Sequence, residues 1–226
     1  MKVLITSALT KPPLVKAFEN EGVEVVRQLD NDVKLIVPTV DEELPFFASA
    51  NSYFARQGIQ VMISSEDSIY LCRDKTEFYR FCRRHSFPAA LTLQEDRIAK
   101  PRFGKGSKGI VRLDNTYILQ NYIPWPEYSI DYFGNLSGKC ISAIPRKRLS
   151  IVNGEAKAGE ICLDNKLTDF AKNVGEDLFL VGHNTIQCFY DGTDIILNEV
   201  NCRFGGGFWI TQPYFNSVKA ILDLCN

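Results

Sequence analysis

The chain lacks the strong net charge and the long apolar runs that would indicate a nucleic-acid-binding protein or a membrane protein. Its 226 residues carry a formal net charge of −1, so charge gives no reason to expect a nucleic acid or an anionic membrane as partner. No apolar run approaches the ~20 residues that a membrane-spanning helix needs. The apolar run at the N-terminus stops at Thr6 and Ser7, so we expect a buried first strand there rather than a signal peptide.

Cysteine and histidine patterns of known sites are also missing. The seven cysteines are an odd number and none form a C-x-x-C pair, which favours reduced thiols in a cytoplasmic protein over a disulfide framework or a zinc site. Cys188 and Cys202 lie in the candidate site described below, but core packing is the expected role of most cysteines. The two histidines, His85 and His183, have no nucleophile or further ligand at a telling spacing, so neither is assigned a catalytic role.

The first third of the chain alternates strands and helices, which predicts a small parallel βαβ sheet in an α/β lobe. We expect strands at Lys2–Thr6, Glu24–Arg27, Lys34–Val37 and Gln60–Ile63, and helices at Leu14–Glu21 and from about Asp41, as the cap, to Arg56. The loop of residues 7–13 contains no glycine. A dinucleotide site needs glycines there, so we do not expect a nucleotide in this lobe.

Strands dominate the remainder, which predicts antiparallel sheets with helices on one side, an α+β arrangement. Asp74 is expected to cap a helix that runs from Lys75 to about His85. Further strands are predicted at Arg97–Pro101, Gly109–Leu113, Thr116–Tyr122, Glu127–Phe133 and Gly138–Ile144, with helices at about Leu167–Leu180 and Phe208–Leu224.

Residues 184–207 are the most informative stretch, because they indicate a hairpin with converging polar groups. If Asp191 pairs with Ile195, then Gln187 falls opposite Glu199, with Cβ atoms roughly 5 Å apart. Asn201 is two residues after Glu199 and shares its face of the strand. Oxygen-bearing side chains suit Mg²⁺, which usually shares its ligands with nucleotide phosphates. A solvated polar face on an exposed hairpin explains the hairpin alone about equally well.

Residues 100–109 form a basic, glycine-rich loop between two strands. Glycines allow backbone N–H groups to turn toward an anion, and the lysines and Ser107 add charge and donors. The segment does not match the G-x-x-x-x-G-K-[ST] phosphate loop, and a strand rather than a helix follows it. The alternative is a flexible hairpin tip with solvated lysines.

Two further segments contain candidate binding residues. Residues 119–127 predict a strand, a proline-stiffened bend and Glu127; the end of such a strand exposes backbone groups that match the edge of adenine, and the carboxylate suits ribose hydroxyls. An ordinary crossover with Trp125 in the core is the alternative. Residues 144–149 end a predicted strand with three cations, and Arg146 there suits a phosphate or carboxylate, although a solvated basic strand end is the default.

In chain order these segments resemble the ATP-grasp superfamily, most closely the branch of carbamoyl-phosphate synthase large subunits and related carboxylate–amine ligases. The resemblance is carried by MKVLITSA, VPTVDEELP, CRDK, AKPRFGKGSKG, LQNYI…EYSID, IPRKRL and IQ…NEVNCRFGGG. It implies an α/β N-terminal lobe at residues 1–72, a lid subdomain with the glycine-rich loop at 73–123, and a C-terminal subdomain with the metal site at 124–226. The lid and the N-terminal lobe are shorter than is usual.

The resemblance also implies individual roles. The ATP contacts would be Lys75, Lys100, Gly104, Lys105, Gly106, Ser107, Gly109, Gln120, Asn121, Tyr122, Ile123 and Glu127. Gln187, Glu199 and Asn201 would hold one or two Mg²⁺ ions, with Mn²⁺ as an alternative. Arg146 and Arg203 would stabilise the charge of an acyl phosphate and the γ-phosphate.

The implied activity is ADP-forming ligation of a small amino-acid-like carboxylate to an amine, or to a thiol, through an acyl phosphate in the cytoplasm. The resemblance implies a hinge strand at Gln120–Ile123 that would hold adenine through its backbone. Only residues 112–117 separate it from the strand after the glycine-rich loop, and this short lid motivates a second hypothesis, a nucleotide-binding subunit without catalysis. A small-molecule kinase of the same fold is a third. A homodimer or a partner subunit is left open.

Overall fold

We describe the fold from a computed structural model, which covers residues 1–7, 11–90, 92–93, 97–99, 111–113, 119–152 and 155–225. The N-terminal lobe is built on a parallel four-stranded sheet in the order β2-β1-β3-β4. Its elements are β1 (Lys2–Ile5), α1 (Pro12–Asn20), β2 (Glu24–Val26), β3 (Val33–Val37), α2 (Leu44–Ser49), α3 (Asn51–Arg56), β4 (Gln60–Val61) and α4 (Glu66–Arg73). The predicted α/β lobe with a parallel sheet is therefore confirmed.

Two details of this lobe differ from the prediction. The single helix expected from Asp41 to Arg56 is two short helices, because Pro45 lies in the first turn of α2 and Ala50 separates α2 from α3. Asp41 therefore caps neither helix. Helix α4 was not predicted; its N-cap is Ser65, whose hydroxyl accepts a hydrogen bond of 3.1 Å from the backbone N–H of Ser68.

The C-terminal part contains an antiparallel five-stranded sheet in the order β11-β10-β9-β12-β13, which confirms the predicted second sheet type. Its strands are β9 (Glu127–Gly134), β10 (Cys140–Val152), β11 (Glu155–Ile161), β12 (Gly182–Tyr190) and β13 (Ile195–Asn201). The associated helices are α5 (Lys75–Arg84), α6 (Asn165–Asp177), a short 3₁₀ helix (Phe208–Ile210) and α7 (Ser217–Leu224). Two small antiparallel pairs come between the two sheets in the sequence: β5 (Thr92–Leu93) with β8 (Leu119–Gln120), and β6 (Arg97–Ala99) with β7 (Val111–Leu113).

Alternation along β9 gives the large sheet one apolar and one polar face. Tyr128, Ile130 and Tyr132 belong to the same buried cluster as the inner side of α6. Ser129 and Asp131 point to the opposite face, where the candidate site lies. Helix α6 can approach this closely because Gly175 faces the ring of Tyr132; a Cβ atom at Gly175 would lie 2.3 Å from Tyr132 Cε2.

The predicted end of β10 is wrong, and the error concerns the site. The strand was expected at Gly138–Ile144, with a basic strand end after it, but β10 continues to Val152. Its second half pairs with β11, a strand that was not predicted, so Arg146 and Arg148 lie inside a sheet. The helix expected at Phe208–Leu224 is also interrupted, and α7 begins only after Asn216, whose side chain accepts from the N–H of Lys219.

The predicted cap of α5 is confirmed, because Asp74 accepts hydrogen bonds from the backbone N–H groups of Thr76 and Glu77 at 2.9 and 3.2 Å. Within the described ranges, no helix has the length and apolar character that crossing a bilayer requires. The proposed domain boundaries at residues 72 and 123 stay predictions; one buried cluster contains side chains from both sides of them.

Candidate active site

The hairpin of β12 and β13 has the predicted register at the site. Gln187 lies opposite Glu199, and Thr185 lies opposite Asn201. The turn itself differs, because Tyr190 rather than Asp191 pairs with Ile195. The ladder then slips between Gln187 and Cys188, so that Cys188 pairs with Leu197 and Asn198 is an extra residue in β13. This bulge restores the register that the longer turn would have lost.

The polar side chains meet because they lie in rows across the sheet. One row runs from Arg146 on β10 through Ser129 on β9 and Gln187 on β12 to Glu199 on β13. The neighbouring row contains Asp131, Thr185 and Asn201. Directly opposed residues in a sheet share a face, so four strands contribute to one polar surface.

This surface forms the floor of a cavity of about 300 Å³. The lining residues are Ser129, Arg146, Arg148, Ala156, Thr185, Gln187, Glu199, Asn201, Arg203 and Gly205–Gly207. A second cavity of about 400 Å³ adjoins it, shares Glu199, Asn201 and Arg203, and is also lined by Asp41 and Lys75. The structure thus brings together the predicted metal ligands, both predicted catalytic arginines and Lys75.

The predicted metal ligands fit a hard divalent cation by chemistry. Glu199 Oε1 accepts a hydrogen bond from Asn201 Nδ2 at 3.1 Å, and Glu199 Oε2 lies 3.4 Å from Lys75 Nζ. The described residues contain no group of three or more His, Cys, Asp or Glu side chains that could hold a metal. Glu199 is the one acid among the three candidates. A cation held by these three side chains would therefore complete its coordination with oxygens from phosphate or water.

Arg146 is a buried cation with one free edge. Its Nε and Nη2 atoms donate to the carboxylate of Asp131 at 3.0 and 3.3 Å, and the residue is 1% exposed. Its Nη1 atom has no hydrogen-bond acceptor among the described residues and lies against Gly207, where a Cβ atom would be 2.7 Å away. Nη1 is therefore the one guanidinium nitrogen of Arg146 that no described acceptor satisfies, and the atom is buried beside Gly207.

Asp131 holds Arg146 in this orientation. Its carboxylate also accepts from the hydroxyls of Thr211 at 2.7 Å and Thr185 at 3.3 Å. Burial has the largest single effect and raises the pKa of Asp131, but the interactions with Arg146 and with His183, whose Nε2 atom lies 3.6 Å from Asp131 Oδ1, together outweigh it and bring the pKa well below its ordinary value. The pair is therefore ionised, and it fixes the guanidinium before any ligand binds.

Arg148 was missed by the sequence analysis. Its Nη1 atom donates to Gln187 Oε1 at 2.9 Å and also to Glu127 Oε1, and its side chain is 6% exposed. It therefore joins the predicted ribose-binding carboxylate to a predicted metal ligand. The sequence did contain a signal for Arg148. It lies two residues after Arg146, so the two side chains share a face if the predicted strand continues past Ile144.

Arg203 connects the site to the N-terminal lobe, and Lys75 connects it to α5. Arg203 Nη2 donates to Asp41 Oδ2 at 2.5 Å, and Arg203 Nη1 donates to the carbonyl of Phe204 at 3.2 Å. Lys75 begins α5, and its Nζ atom lies 3.4 Å from Glu199 Oε2. Asp41 was interpreted as a helix cap, so its contribution to the site was also missed.

The remaining predicted ATP contacts either do not line the two cavities or fall outside the described residues. Strand β8 ends at Gln120, so the hinge strand expected to reach Ile123 is wrong beyond that residue; Pro124 restricts the residue before it. Asn121 and Tyr122 are exposed, and the segment lines neither of the two cavities. Its adenine-binding role stays a prediction. Lys100, Gly104, Lys105, Gly106, Ser107 and Gly109 lie outside the described residues.

Comparisons with known proteins bear on the fold of the chain. Residues 114–216 match a family model described as ATP-grasp in the biosynthetic pathway with Ter operon. The search of curated protein sequences gives no match.

Solved structures match over most of the chain at low identity. The biotin carboxylase–β,γ-ATP complex from Campylobacter jejuni is 13% identical with a TM-score of 0.70, over 99% of this chain and 70% of that one. A pyruvate carboxylase variant from Rhizobium etli with acetyl coenzyme A is 12% identical with a TM-score of 0.70, over 99% of this chain but only 28% of that one. The ADP complex of PurK, N5-carboxyaminoimidazole ribonucleotide synthetase, is 12% identical with a TM-score of 0.65, over 91% of this chain and 70% of that one. The chain therefore has the ATP-grasp fold, and the resemblance to the ATP-grasp superfamily that its motifs indicated is confirmed.

Proposed function

We propose that the protein is an ATP-dependent, ADP-forming ligase that joins a small amino-acid-like carboxylate to an amine, or to a thiol, through an acyl phosphate. The observation that carries the proposal is the placement of Gln187 opposite Glu199, with Asn201 beside them, in a cavity that Arg146 and Arg203 also line. The ATP-grasp fold supports the general reaction class. All seven cysteines are free thiols, which supports a reducing, cytoplasmic location.

In the first step, an oxygen of the substrate carboxylate attacks the γ-phosphorus of ATP, the bond to the β,γ-bridging oxygen breaks, and ADP leaves. Positioning and positive charge are most of what this step requires from a protein. Arg146 Nη1 and the Arg203 guanidinium would face the oxygens on which charge accumulates. Because Asp131 and Asp41 already fix these two arginines, little reorganisation is needed when the anion arrives.

In the second step, the amine attacks the acyl carbon, inorganic phosphate leaves, and the amine proton passes to phosphate or solvent. Glu199, Gln187 and Asn201 would hold Mg²⁺, or Mn²⁺, which when bound screens the phosphate oxygens. Lys75 would contact the phosphates from the α5 side. Glu127 would bind ribose through Oε2, since its Oε1 atom accepts from Arg148.

A screen for ADP release with pooled carboxylates and amines tests the proposal. We expect ADP to form with at least one carboxylate, and added hydroxylamine to trap the acyl phosphate as a hydroxamate. Tight binding of Mg·ATP without ADP release for any pair would favour a nucleotide-binding subunit instead. A phosphorylated product that is stable to hydroxylamine would favour a small-molecule kinase.

A further inference from the structure

We propose that His183 is a positioning residue of the site: when an anion binds at Arg146, the Nε2–H group of His183 replaces Arg146 Nη2 as a donor to Asp131 Oδ1. The exchange lets the guanidinium turn toward the anion and keeps the buried carboxylate hydrogen-bonded. The inference rests on the proposed function in one respect, because it takes the anion to be the terminal phosphate of a bound nucleotide.

The first argument is that Arg146 does not meet a ligand in the arrangement described. Arg146 lines the 300 Å³ cavity, yet the residue is only 1% exposed. Its Nη1 atom is buried against Gly207 and has no acceptor in the part of the chain that the structure describes. A small turn of the guanidinium about its bond from Nε to Asp131 brings the outer edge toward the cavity, where a phosphate can accept from it.

The second argument is that the two oxygens of Asp131 are unequally bonded. Oδ2 accepts from Arg146 Nε at 3.0 Å and from the Thr211 hydroxyl at 2.7 Å. Oδ1 accepts from Arg146 Nη2 and from the Thr185 hydroxyl, both at 3.3 Å. A turn about the Nε bond therefore lengthens the weaker Nη2 bond first, and it leaves Oδ1 as a buried acceptor in need of a donor.

The third argument is that His183 faces this oxygen with an unused group. Its Nε2 atom lies 3.6 Å from Asp131 Oδ1, beyond hydrogen-bond length, and has no partner among the described residues. Its Nδ1 atom lies 3.0 Å from the hydroxyl of Ser217, which can donate to it. A bare Nε2 atom would set its lone pair against a carboxylate in a buried place, so we assign the hydrogen to Nε2.

The packing around His183 keeps the imidazole aimed at Asp131. The ring stacks on Phe204, with centroids 4.1 Å apart and planes at 10°, and the side chain is 1% exposed. An approach of about half an ångström is enough to bring Nε2 within hydrogen-bond length of Oδ1. The exchange therefore needs no rearrangement of the core.

The decisive measurement is NMR spectroscopy of the full native chain labelled with ¹⁵N-histidine. The chain has two histidines, so the variant His85→Phe assigns the signals of His183. We expect the hydrogen on Nε2 in the free protein, and we expect Mg²⁺ with β,γ-imido-ATP to move that proton downfield as it bonds to the carboxylate. A hydrogen on Nδ1 alone, or an Nε2 proton that does not move at saturation, would overturn the inference.

Variants test the donor separately from the ring. His183→Phe keeps an aromatic ring against Phe204 but removes the Nε2–H group, and we expect the dissociation constant of the analogue, measured by calorimetry, to rise about 10-fold because Oδ1 gains no replacement donor. His183→Gln offers an amide N–H near the place of Nε2 and should recover most of the affinity.

The matched control is His85→Phe, the same change at the other histidine, which stacks on Phe81 away from the cavities and should keep the native affinity. An unchanged affinity in His183→Phe would contradict the exchange. If His183→Phe does not fold, the NMR result on the native chain decides.

The inference and the proposed function fail separately. ADP release together with an unmoved Nε2 proton removes the inference and leaves the proposed function standing. A moved proton without ADP release for any substrate pair supports the exchange and counts against ligation. A chain that does not bind the analogue overturns both.

Discussion

Charged side chains at the site are paired with groups from other elements. Arg146 is held by Asp131, Arg203 by Asp41, and Glu199 is contacted by Lys75. Such pairs orient the charges at a cost in desolvation, so they are weak contributors to stability but strong determinants of geometry. At this scale the site is therefore organised before a ligand binds.

Replacing the central carboxylate tests its role directly. We expect Glu199→Gln to lower the rate of ADP formation by more than about 100-fold, because removing even an outer-shell partner of a metal typically costs 10- to 100-fold. The change keeps the size of the side chain, so folding should be preserved. Glu24→Gln, an equivalent change at an exposed edge-strand position, should leave the rate unchanged. A similar loss in both variants would contradict a specific role for Glu199.

Asp131→Asn leaves the buried Arg146 charge without a counterion. We expect the free energy of unfolding to fall by about 3–5 kcal/mol, measured by urea denaturation. Asp223→Asn, at an exposed carboxylate 3.7 Å from Lys219, should change it by less than about 0.5 kcal/mol. Adding Arg146→Met to Asp131→Asn should recover part of the loss, and a double variant no more stable than the single one would argue against an unpaired charge as the cause.

The same pair predicts an acid-dependent loss of stability. The pKa of Asp131 is lower in the folded state than its ordinary value near 3.9, so its contribution is complete above that value and is lost as pH falls toward the folded pKa. The difference in unfolding free energy between the native protein and Asp131→Asn should therefore shrink as pH falls below about 5. A difference that stays constant between about pH 6 and pH 3 would contradict this.

Residue identities at the site were predictable where a short pattern fixed the geometry. Two-residue spacing put Glu199 and Asn201 on one face, and the motif order supplied Arg146 and Arg203. Arg148 could not be found in this way, because a run of three cations is usually a solvated strand end. Its burial depends on β11, which is far less evident in the sequence.

At the scale of elements, the bulge at Asn198 decides which side chains of β13 face the site. Ile195 and Leu197 are buried on the apolar side, whereas Glu199 and Asn201 lie on the polar side. In a regular strand, residues 195, 197, 199 and 201 would all share one face. The predicted register at Gln187 was correct because two offsets cancel, the four-residue turn and the bulge.

The contact between α6 and β9 predicts an unusual outcome for a helical glycine. Gly175→Ala should favour the isolated helix by about 1 kcal/mol, yet the new Cβ atom would lie 2.3 Å from the Tyr132 ring. We expect the clash to dominate and to destabilise the protein by about 1–3 kcal/mol in urea denaturation. Asn173→Ala, at an exposed position of α6, is the control and should be neutral or slightly stabilising. Stabilisation by Gly175→Ala would show that Tyr132 moves aside at little cost.

Element boundaries failed where tertiary pairing overrides local signals. β10 runs to Val152 because β11 supplies hydrogen bonds that no local pattern announces. A single helix was predicted because the apolar stripe of residues 41–56 is continuous. The backbone is interrupted at Ala50, so two helices, α2 and α3, form instead. Capping by Asp74, by contrast, is local, and it was predicted correctly.

At the scale of the whole molecule, the 400 Å³ cavity lies where the N-terminal lobe meets the large sheet, and the 300 Å³ cavity adjoins it on the sheet. Asp41 and Lys75 come from segments that precede the sheet in sequence, and both contact residues of β13 or the segment after it. Fold class was predictable at this scale, because parallel and antiparallel signals are distributed over the entire chain. The relative placement of the lobes was not, since it depends on single pairs such as Arg203 with Asp41.

Ligand binding across these cavities should stabilise the entire fold. With β,γ-imido-ATP and Mg²⁺ at about 100 times the dissociation constant, we expect stabilisation of about 2.7 kcal/mol, or about 5–10 °C in Tm by differential scanning calorimetry. Omitting Mg²⁺ should reduce the shift, and Glu199→Gln should abolish the part that depends on Mg²⁺. An equal shift with and without Mg²⁺ would argue against a cation bound at Glu199.

The position of the β13 bulge also has a practical use. Asn198 separates the turn at residues 191–194 from the end of the hairpin that carries Gln187 and Glu199, and the turn is closed by Asp191, which accepts from the N–H groups of Thr193 and Asp194. Exposed loop tips are the preferred places for grafting foreign sequence. A fluorescent reporter inserted at this tip would lie on the same hairpin as the predicted cation ligands, with the bulge between them. The tip is therefore a suitable place for building an optical sensor of ligand occupancy.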